Sequence, residues 1–264
     1  DIFENLDAIK KQFHHLVRTV PGQGRLIVPA DDANLADVLQ KGAWTPVERF
    51  AIDAAADGAR WRAELLADDG SAFAVWVDGV RAGEVRWPMT GRHSVNNGLA
   101  AIIAADHVGV PVATACAALS AFPGVKRRME IVGEVRGITV YDDFAHHPTA
   151  IATTLEGLRK KVGTARIIAV IEPRSNTMRL GAHKDSLAPS VAAADEVFWY
   201  QPEGLNWDLG PVVAASPVPA QVLGSIDAIV AAVVARAAPG DQVLVMSNGG
   251  FGGIHQKLVQ ALSA

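Results

Sequence analysis

The sequence contains a single cysteine, Cys116, among 264 residues. One thiol can form neither an intrachain disulfide nor a cysteine-rich metal site, which favours a protein of the reducing cytoplasm. Cys116 lies in an apolar helical segment, where a free cysteine usually behaves as a small core residue. We therefore expect a cytoplasmic protein in which this thiol carries no chemistry.

Long apolar runs and basic clusters are also missing. The longest apolar runs, such as "LAAIIAA", are far shorter than the roughly 20 residues that cross a bilayer, and no secretory signal pattern occurs. The formal net charge is −4, and the lysines and arginines are scattered along the chain. We expect neither a membrane nor a nucleic acid as partner, because nucleic-acid binding needs a concentrated basic surface.

Several common catalytic motifs do not occur. There is no G-x-x-x-x-G-K-[ST] phosphate loop, no G-x-S-x-G nucleophile elbow and no H-E-x-x-H zinc site. No strand is followed by G-x-G-x-x-G, which argues against a dinucleotide-dependent oxidoreductase. The chain starts at Asp1, directly in a helical pattern, so we expect a piece of a longer or processed protein.

The first half of the chain mixes helical and strand-like patterns. Residues 1–18 have apolar side chains at helical spacing, and residues 47–87 alternate as strands do. Asp78-Gly79 separates two of these strands and predicts a tight hairpin. The tryptophans of this region, Trp61, Trp76 and Trp87, fit packing within a sheet better than base stacking, given the acidic net charge.

A long apolar helix is predicted to start near His93. The polar residues His93, Ser94, Asn96 and Asn97 fall in its first turn or so, which is more than capping requires. Carboxamides and an imidazole at a helix N-terminus can read the edge of a base or hold an anion.

Pro123-Gly124 marks the predicted domain boundary, and the pattern beyond it is regular. A two-stranded hairpin is followed by strands that alternate with helices, which is typical of a parallel sheet. We predict an α/β fold with a domain over residues 1–125 and a second domain, a doubly wound sheet, over residues 126–264.

The densest polar cluster is "GITVYDDFAHHPTAI", Gly137 to Ile151. A strand ends there in two aspartates and two histidines, just before a helix, where open α/β sheets bind their ligands. A second interpretation stays open, in which an aspartate caps the helix, Pro148 begins it and the histidines are surface residues.

Two other predicted strand ends carry polar residues. "EPRSNTMRLG" follows one strand, and the glycine-rich "SNGGFGGIH" follows another. The glycine-rich turn fits either a phosphate cradle or a tight turn that lets strand and helix pack closely.

Three stretches together resemble the Mur ligases, the ATP-dependent amide-bond-forming enzymes of bacterial cell-wall synthesis. They are "GRHSVNNGLAAIIAA", "GVKRRMEIVGEVRGITVYDDFAHHPTAI" and "EPRSNTMRLG", in the family's order and spacing. Within the family, "DDFAHHPTAI", "EPRSNTMRLG" and "SNGGFGGIHQKL" look most like the murein peptide ligase branch. That branch joins the tripeptide L-Ala-γ-D-Glu-meso-diaminopimelate to UDP-N-acetylmuramate in peptidoglycan recycling.

The resemblance implies a particular organisation. Residues 1–125 correspond to the last part of a central ATPase domain, and residues 126–264 to the family's C-terminal Rossmann-like domain. The family's N-terminal domain, its phosphate loop and most of its Mg²⁺ ligands lie upstream of these parts. The implied cofactors are ATP and Mg²⁺, with no metal ligand expected in this chain, and we expect residues 1–264 alone to be inactive.

The resemblance also implies roles for individual residues. Arg128 and His146 correspond to catalytic positions, with Arg128 reaching the ATP phosphates. The nucleotide-binding positions are His93, Ser94, Asn97, Arg128 and Asp143, where family members usually have Asn in place of Ser94. The positions around the acceptor peptide are Phe144, His146, Arg174, Ser175, Asn176 and Arg179.

Chemistry explains these residue types. The family activates a carboxylate as an acyl phosphate, which an amine then attacks, so fixed cations stabilise the developing negative charge. Arginine forks suit the peptide's carboxylates, and an imidazole can orient the amine or accept its proton. A UDP-N-acetylmuramate–L-alanine ligase and a non-catalytic nucleotide- or peptide-binding domain remain as alternatives.

Overall fold

The computed structural model describes residues 2–53, 59–181 and 183–264. The chain divides into two compact units, Asp1–Pro123 and Gly124–Ala264, each with its own sheet and core. None of the helices in the described residues is both long and apolar enough to cross a membrane.

The first unit is built on a five-stranded sheet of order β1-β2-β3-β4-β5. β1, β2 and β3 are parallel, whereas β4 runs antiparallel to both of its neighbours. The elements are α1 (Leu6–Thr19), β1 (Leu26–Pro29), α2 (Ala33–Gln40), β2 (Val47–Ile52), β3 (Trp61–Leu65), β4 (Ala72–Val77), β5 (Val80–Arg86), α3 (Arg92–His107) and α4 (Val112–Ser120).

Local sequence explains the boundaries of these elements. Asp78 and Gly79 both have positive φ, at 49° and 79°, as the predicted hairpin turn between β4 and β5 requires. The helix predicted over residues 1–18 begins only at Leu6. The physical reason is the Asn5 side chain, which accepts a hydrogen bond from the Ala8 amide at 2.9 Å and caps the helix there.

The core of the first unit confirms the packing role predicted for its aromatic residues. Trp61 and Trp87 are buried, and the Trp87 indole donates a hydrogen bond to the Gly70 carbonyl at 2.9 Å. A Cβ atom at Gly98 would lie 2.6 Å from the Trp87 ring, so only glycine lets α3 pack this closely. Cys116 is buried as expected, and burial raises the pKa of its thiol.

The second unit is a six-stranded sheet of order β10-β9-β8-β11-β7-β6. Every pair of neighbours is parallel except β6 and β7, which form the predicted hairpin. Its elements are β6 (Glu130–Val135), β7 (Ile138–Asp143), α5 (Pro148–Val162), β8 (Ile167–Ile171), α6 (Asn176–Arg179), α7 (Lys184–Ser190), β9 (Glu196–Tyr200), α8 (Gly210–Ala214), β10 (Ala220–Leu223), α9 (Ile226–Arg236), β11 (Gln242–Met246) and α10 (Ile254–Ser263).

This sheet separates two hydrophobic cores. One core contains residues of α5, α7 and α8, and the other contains residues of α9 and α10. Helices on both faces of a mostly parallel sheet confirm the predicted α/β, doubly wound class. Three short elements, β10, α6 and α8, were not predicted from the sequence, and each has only four or five residues.

Candidate functional site

The carboxyl ends of three adjacent strands meet in the second unit. β11 lies between β7 and β8, and Met246 is in register with Asp143 on one side and with Ile171 on the other. The segments that leave these strands therefore share one edge of the sheet, which is where open α/β sheets bind ligands. All three polar strand ends predicted from the sequence meet at this edge.

A buried carboxylate joins two of these ends. Glu172, which follows β8, accepts a hydrogen bond from the hydroxyl of Ser247, which follows β11. The same hydroxyl oxygen accepts a hydrogen bond from the Gly249 amide at 2.9 Å. Both side chains are buried, so this network fixes the start of the glycine-rich turn.

Arg127 joins the third end to the same turn. Its guanidinium donates to the Ser247 carbonyl at 2.6 Å, to the Gly249 carbonyl at 2.7 Å and to Asp142 at 3.1 Å. The residue has a left-handed φ of 59°, a conformation that costs a non-glycine residue energy and that these hydrogen bonds stabilise. Arg127 thus holds the ends of β7 and β11 together, a role that was not predicted from the sequence, where only Arg128 was singled out.

His255, near the start of α10, completes this network. Its Nε2 lies 3.1 Å from Asp142 Oδ1, so Asp142 is placed between an imidazole and the Arg127 guanidinium. Burial lowers the pKa of His255, and the charge of Arg127 lowers it further, while Asp142 acts in the opposite direction. The glycine-rich turn is therefore tied at both ends to the end of β7.

Asp143 has buried contacts of its own. Its carboxylate accepts hydrogen bonds from the Met129 amide at 2.9 Å and from the Ala145 amide at 2.8 Å. Only 3% of the residue is exposed. These contacts fix the turn that leaves β7 against the segment before β6.

Phe144 lies at the centre of the more accessible part of the site. The guanidinium carbons of Arg127 and Arg128 lie 5.2 Å and 5.4 Å from the centre of its ring. The ring of His146 meets it edge-on at 5.5 Å. Arg128 is exposed, so its charge is available to an anionic ligand beside this ring.

The backbone orients the His146 ring. Its Nδ1 lies 3.0 Å from the Phe144 carbonyl oxygen. Because a carbonyl can only accept, this contact favours the tautomer with the proton on Nδ1 and leaves Nε2 able to accept one. The ring is half-buried at the edge of the site.

The alternative interpretation assigned the cap of this helix to an aspartate, and that assignment is wrong, because the side chain that caps α5 belongs to His147. Its Nδ1 accepts a hydrogen bond from the Thr149 amide at 3.3 Å, and Pro148 begins α5. Its ring also packs against His183, with 4.4 Å between ring centres. Burial lowers the pKa of His147, and the neighbouring charges of His183 and His146 lower it further. The stretch therefore contains a capping residue, His147, directly after His146, which lies half-buried at the edge of the candidate site.

The segment after β8 presents the predicted peptide-binding residues. Arg174 packs against Gly249, where an added Cβ would lie 1.9 Å from its guanidinium, so a side chain at this position would displace Arg174. Ser175 caps α6 by accepting a hydrogen bond from the Met178 amide at 3.4 Å. Asn176 and Arg179 lie at the two ends of α6 and are exposed.

In the first unit, the three predicted ligand residues of α3 lie on different sides of the helix, two of them exposed and one buried. His93 and Asn97 are exposed and lie one helical turn apart, on one face. Ser94 is buried, and its hydroxyl donates to the Thr90 carbonyl at 2.7 Å. The helix therefore presents an imidazole and a carboxamide together on its exposed face, while the serine hydrogen-bonds to the backbone that precedes the helix.

Sequence reasoning missed Arg127, Glu172, Ser247 and His255. Glu172 and Ser247 each follow directly after a buried strand, the same signal that identified the aspartates of β7, so that signal could have found them. Arg127 and His255 have no comparable signal, because their partners are distant in the chain. Within the described residues, no group of three or more His, Cys, Asp or Glu side chains is arranged to hold a metal ion.

Two domain families match this chain. The Mur ligase middle domain matches residues 1–105, and the domain described as "Mur ligase, glutamate ligase domain" matches residues 127–249. The chain is 53% identical, over its whole length, to the UDP-N-acetylmuramate–L-alanyl-γ-D-glutamyl-meso-2,6-diaminoheptandioate ligase of Escherichia coli. It is 47% identical over 99% of its length to the enzyme of that name from Haemophilus influenzae. The chain spans 57% of the length of each of these relatives.

One solved structure and one relative of lower sequence identity complete the comparison. A murein peptide ligase from Psychrobacter arcticus matches 99% of the chain at 50% identity with a TM-score of 0.74, and the chain covers 56% of that structure. A UDP-N-acetylmuramate–L-alanine ligase from Acidothermus cellulolyticus is 33% identical over 94% of the chain, which covers 54% of that relative.

Proposed function

Because the chain belongs to the Mur ligase family, we propose that it supplies nucleotide- and peptide-binding groups to an ATP-dependent ligase. The proposed reaction joins the tripeptide L-Ala-γ-D-Glu-meso-diaminopimelate to UDP-N-acetylmuramate through an acyl phosphate, in peptidoglycan recycling. The observation that carries this proposal is the 53% identity to a ligase of that specificity across the entire chain. ATP with Mg²⁺ would supply the phosphoryl group that activates the sugar's carboxylate.

On the nucleotide side, we assign Arg128 to the phosphates. Its exposure and its place beside the Phe144 ring support this role, since a fixed cation stabilises charge that develops on phosphoryl oxygens. His93 and Asn97 are proposed to contact the adenine, which fits their shared exposed face on α3. Ser94 is proposed to act there only through the helix, because its hydroxyl is engaged with Thr90.

Asp143 is proposed to meet the ribose hydroxyls. The amides of Met129 and Ala145 and the Thr154 hydroxyl donate hydrogen bonds to its carboxylate and hold it at the end of β7, on the edge where open α/β sheets bind ligands.

On the peptide side, His146 is proposed to receive the proton of the attacking amine at Nε2. The contact between its Nδ1 and the Phe144 carbonyl supports this assignment. Phe144 forms the apolar floor beside it. Arg174, Ser175, Asn176 and Arg179 are proposed to bind the carboxylates of the peptide, because arginine forks pair well with carboxylates.

A chimera tests the proposal. Residues 1–264 would replace the matching part of the E. coli relative, and ligation of the tripeptide to UDP-N-acetylmuramate would be measured. We expect ATP-dependent ligation by the chimera and none by residues 1–264 alone. A chimera that ligates free L-alanine but not the tripeptide would instead support an L-alanine ligase, the specificity of the relatives near 33% identity.

A further inference from the structure

A cavity of about 400 Å³ lies between α7 and α8 in the second unit. This volume is within the range of small-molecule sites. Its apolar lining includes Ala188 of α7, Val212 of α8 and the ring of Trp207. None of these residues belongs to the site described above.

The tryptophan wall of the cavity is rigid. The Trp207 indole donates a hydrogen bond to the Met178 carbonyl of α6 at 2.7 Å. Gly181 has a φ of 70°, and a Cβ atom there would lie 3.2 Å from the indole ring. The cavity is therefore preformed and attached to α6, the helix that carries the proposed peptide-binding residues Asn176 and Arg179.

Charges of both signs also line the cavity. Lys184 and Asp185, in the first turn of α7, and Asp208, before α8, all lie on its lining. Asp208 Oδ1 accepts a hydrogen bond from the Gly210 amide at 2.9 Å. Across residues 2–53, 59–181 and 183–264, none of these three side chains forms an ion pair with another.

We propose that this cavity binds the free α-amino-acid end of the diaminoheptanedioate residue, an inference that rests on the proposed function. One amine of that residue is consumed in the amide bond to the glutamyl group. The other end then carries an ammonium and a carboxylate on a short aliphatic chain. Lys184 pairs with the carboxylate, Asp185 and Asp208 pair with the ammonium, and the methylenes pack against Trp207.

The same charges exclude other ligands of the enzyme. Two carboxylates at the cavity repel a phosphate or a diphosphate, which disfavours ATP and the UDP-sugar. A purely apolar ligand would leave all three charges unpaired at its edge. A zwitterion on an aliphatic chain would pair with the charges of both signs and would also pack against the apolar lining of the cavity.

The first experiment measures the KM of the chimera for two peptides. One is the natural tripeptide, and the other has L-lysine in third position, which keeps the terminal ammonium but lacks the terminal carboxylate. We expect Lys184→Met to raise KM for the natural tripeptide about tenfold, leaving kcat and the KM for the lysine peptide unchanged. Lys161→Met, an exposed lysine on α5, is the matched control and should change neither value.

A second variant tests the other half of the cavity. Asp185→Asn should raise KM for the natural tripeptide but not for a peptide that ends in 2-aminoheptanedioate, which lacks the terminal ammonium. Equal changes for all peptides with either variant, or none, would overturn the inference while tripeptide ligation by the unaltered chimera still supported the proposed function. If the unaltered chimera ligates no peptide, the proposed function fails and the inference fails with it.

Discussion

The two units of this chain bury their sheets in different ways. In the second unit, helices cover both faces, and all five residues of β8 are buried. Among the described residues of the first unit, one large core cluster packs against the sheet, and β2 is buried only in its second half. Apolar residues of α1 remain exposed, among them Leu6, Phe13 and Leu16, at 50%, 48% and 59%.

This difference in burial relates the stability of each unit to the binding groups that it can carry. A sheet buried on both faces can hold polar strand ends rigidly, because the strands cannot shift without disturbing two cores. The second unit accordingly carries the organised cluster around Arg127 and Phe144. A helix whose large apolar side chains are mostly exposed, such as α1, contributes little apolar burial to the stability of its unit.

The largest expected effect compares two leucines. Leu155→Ala on α5 removes a fully buried side chain and should lower the free energy of unfolding of the second unit by about 3 kcal/mol. Leu16→Ala on α1 should change the stability of the first unit by less than about 0.5 kcal/mol, because the side chain is mostly exposed. Urea unfolding, monitored by hydrogen exchange of amides in β8 and in α2, measures the stability of the second and of the first unit. Equal losses would break the comparison.

A smaller effect separates two adjacent arginines. Arg127→Met removes donors from two carbonyls and from Asp142 and should destabilise the second unit by about 2 kcal/mol. Arg128→Met should leave thermal stability within about 0.5 kcal/mol but lower kcat of the chimera about 100-fold. Thermal unfolding and ligation assays on both variants check this division. A stable Arg127 variant would show that the strand ends do not need the guanidinium.

A pH effect should follow from His255. Its pKa is lowered in the folded chain, so the unfolded chain takes up the proton first as the pH falls below the ordinary value of 6.5. The second unit should therefore lose stability as the pH decreases through this region. His255→Gln should flatten that dependence, whereas His15→Gln, at an exposed position on α1, should not. Urea unfolding at several pH values between 7.5 and 5 measures the stability of the second unit in the unaltered chain and in both variants. The same pH dependence in the His255 variant as in the unaltered chain would contradict the prediction.

The smallest effect concerns α3 in the first unit. Ser94→Ala removes one buried hydrogen bond and should cost about 1 kcal/mol of stability. Asn97→Ala, on the exposed face, should leave stability nearly unchanged but raise KM of the chimera for ATP. If Ser94→Ala changed the affinity for ATP without changing stability, the result would indicate that Ser94 contacts the nucleotide directly.

Much of the fold follows from local signals. The hairpin at Asp78-Gly79, the start of α5 at Pro148 and the alternation of strands and helices beyond Pro123 were all predictable. α6, α8 and β10 were not, because four or five residues carry too little periodicity to be distinguished from a loop.

The candidate site divides in a similar way. Asp142, Asp143 and His146 stand out in the sequence because a strand delivers them together just before a helix. Arg127 and His255 do not, since their roles depend on carbonyls and carboxylates from elsewhere in the chain. Phe144 is identifiable from sequence only by resemblance to a family, whereas its two flanking guanidiniums are visible in the structure.

Local sequence is enough to predict that "YDDFAHHPTAI" ends a strand and opens a helix, and three motifs together are enough to identify the family. The insertion of β11 between β7 and β8, which brings Ser247 and Gly249 to Arg127, is visible only in the folded chain. The physical reason is that local periodicity specifies a strand but not its neighbours. Strand order is set by which helices cover which face, and that depends on packing across the whole sheet.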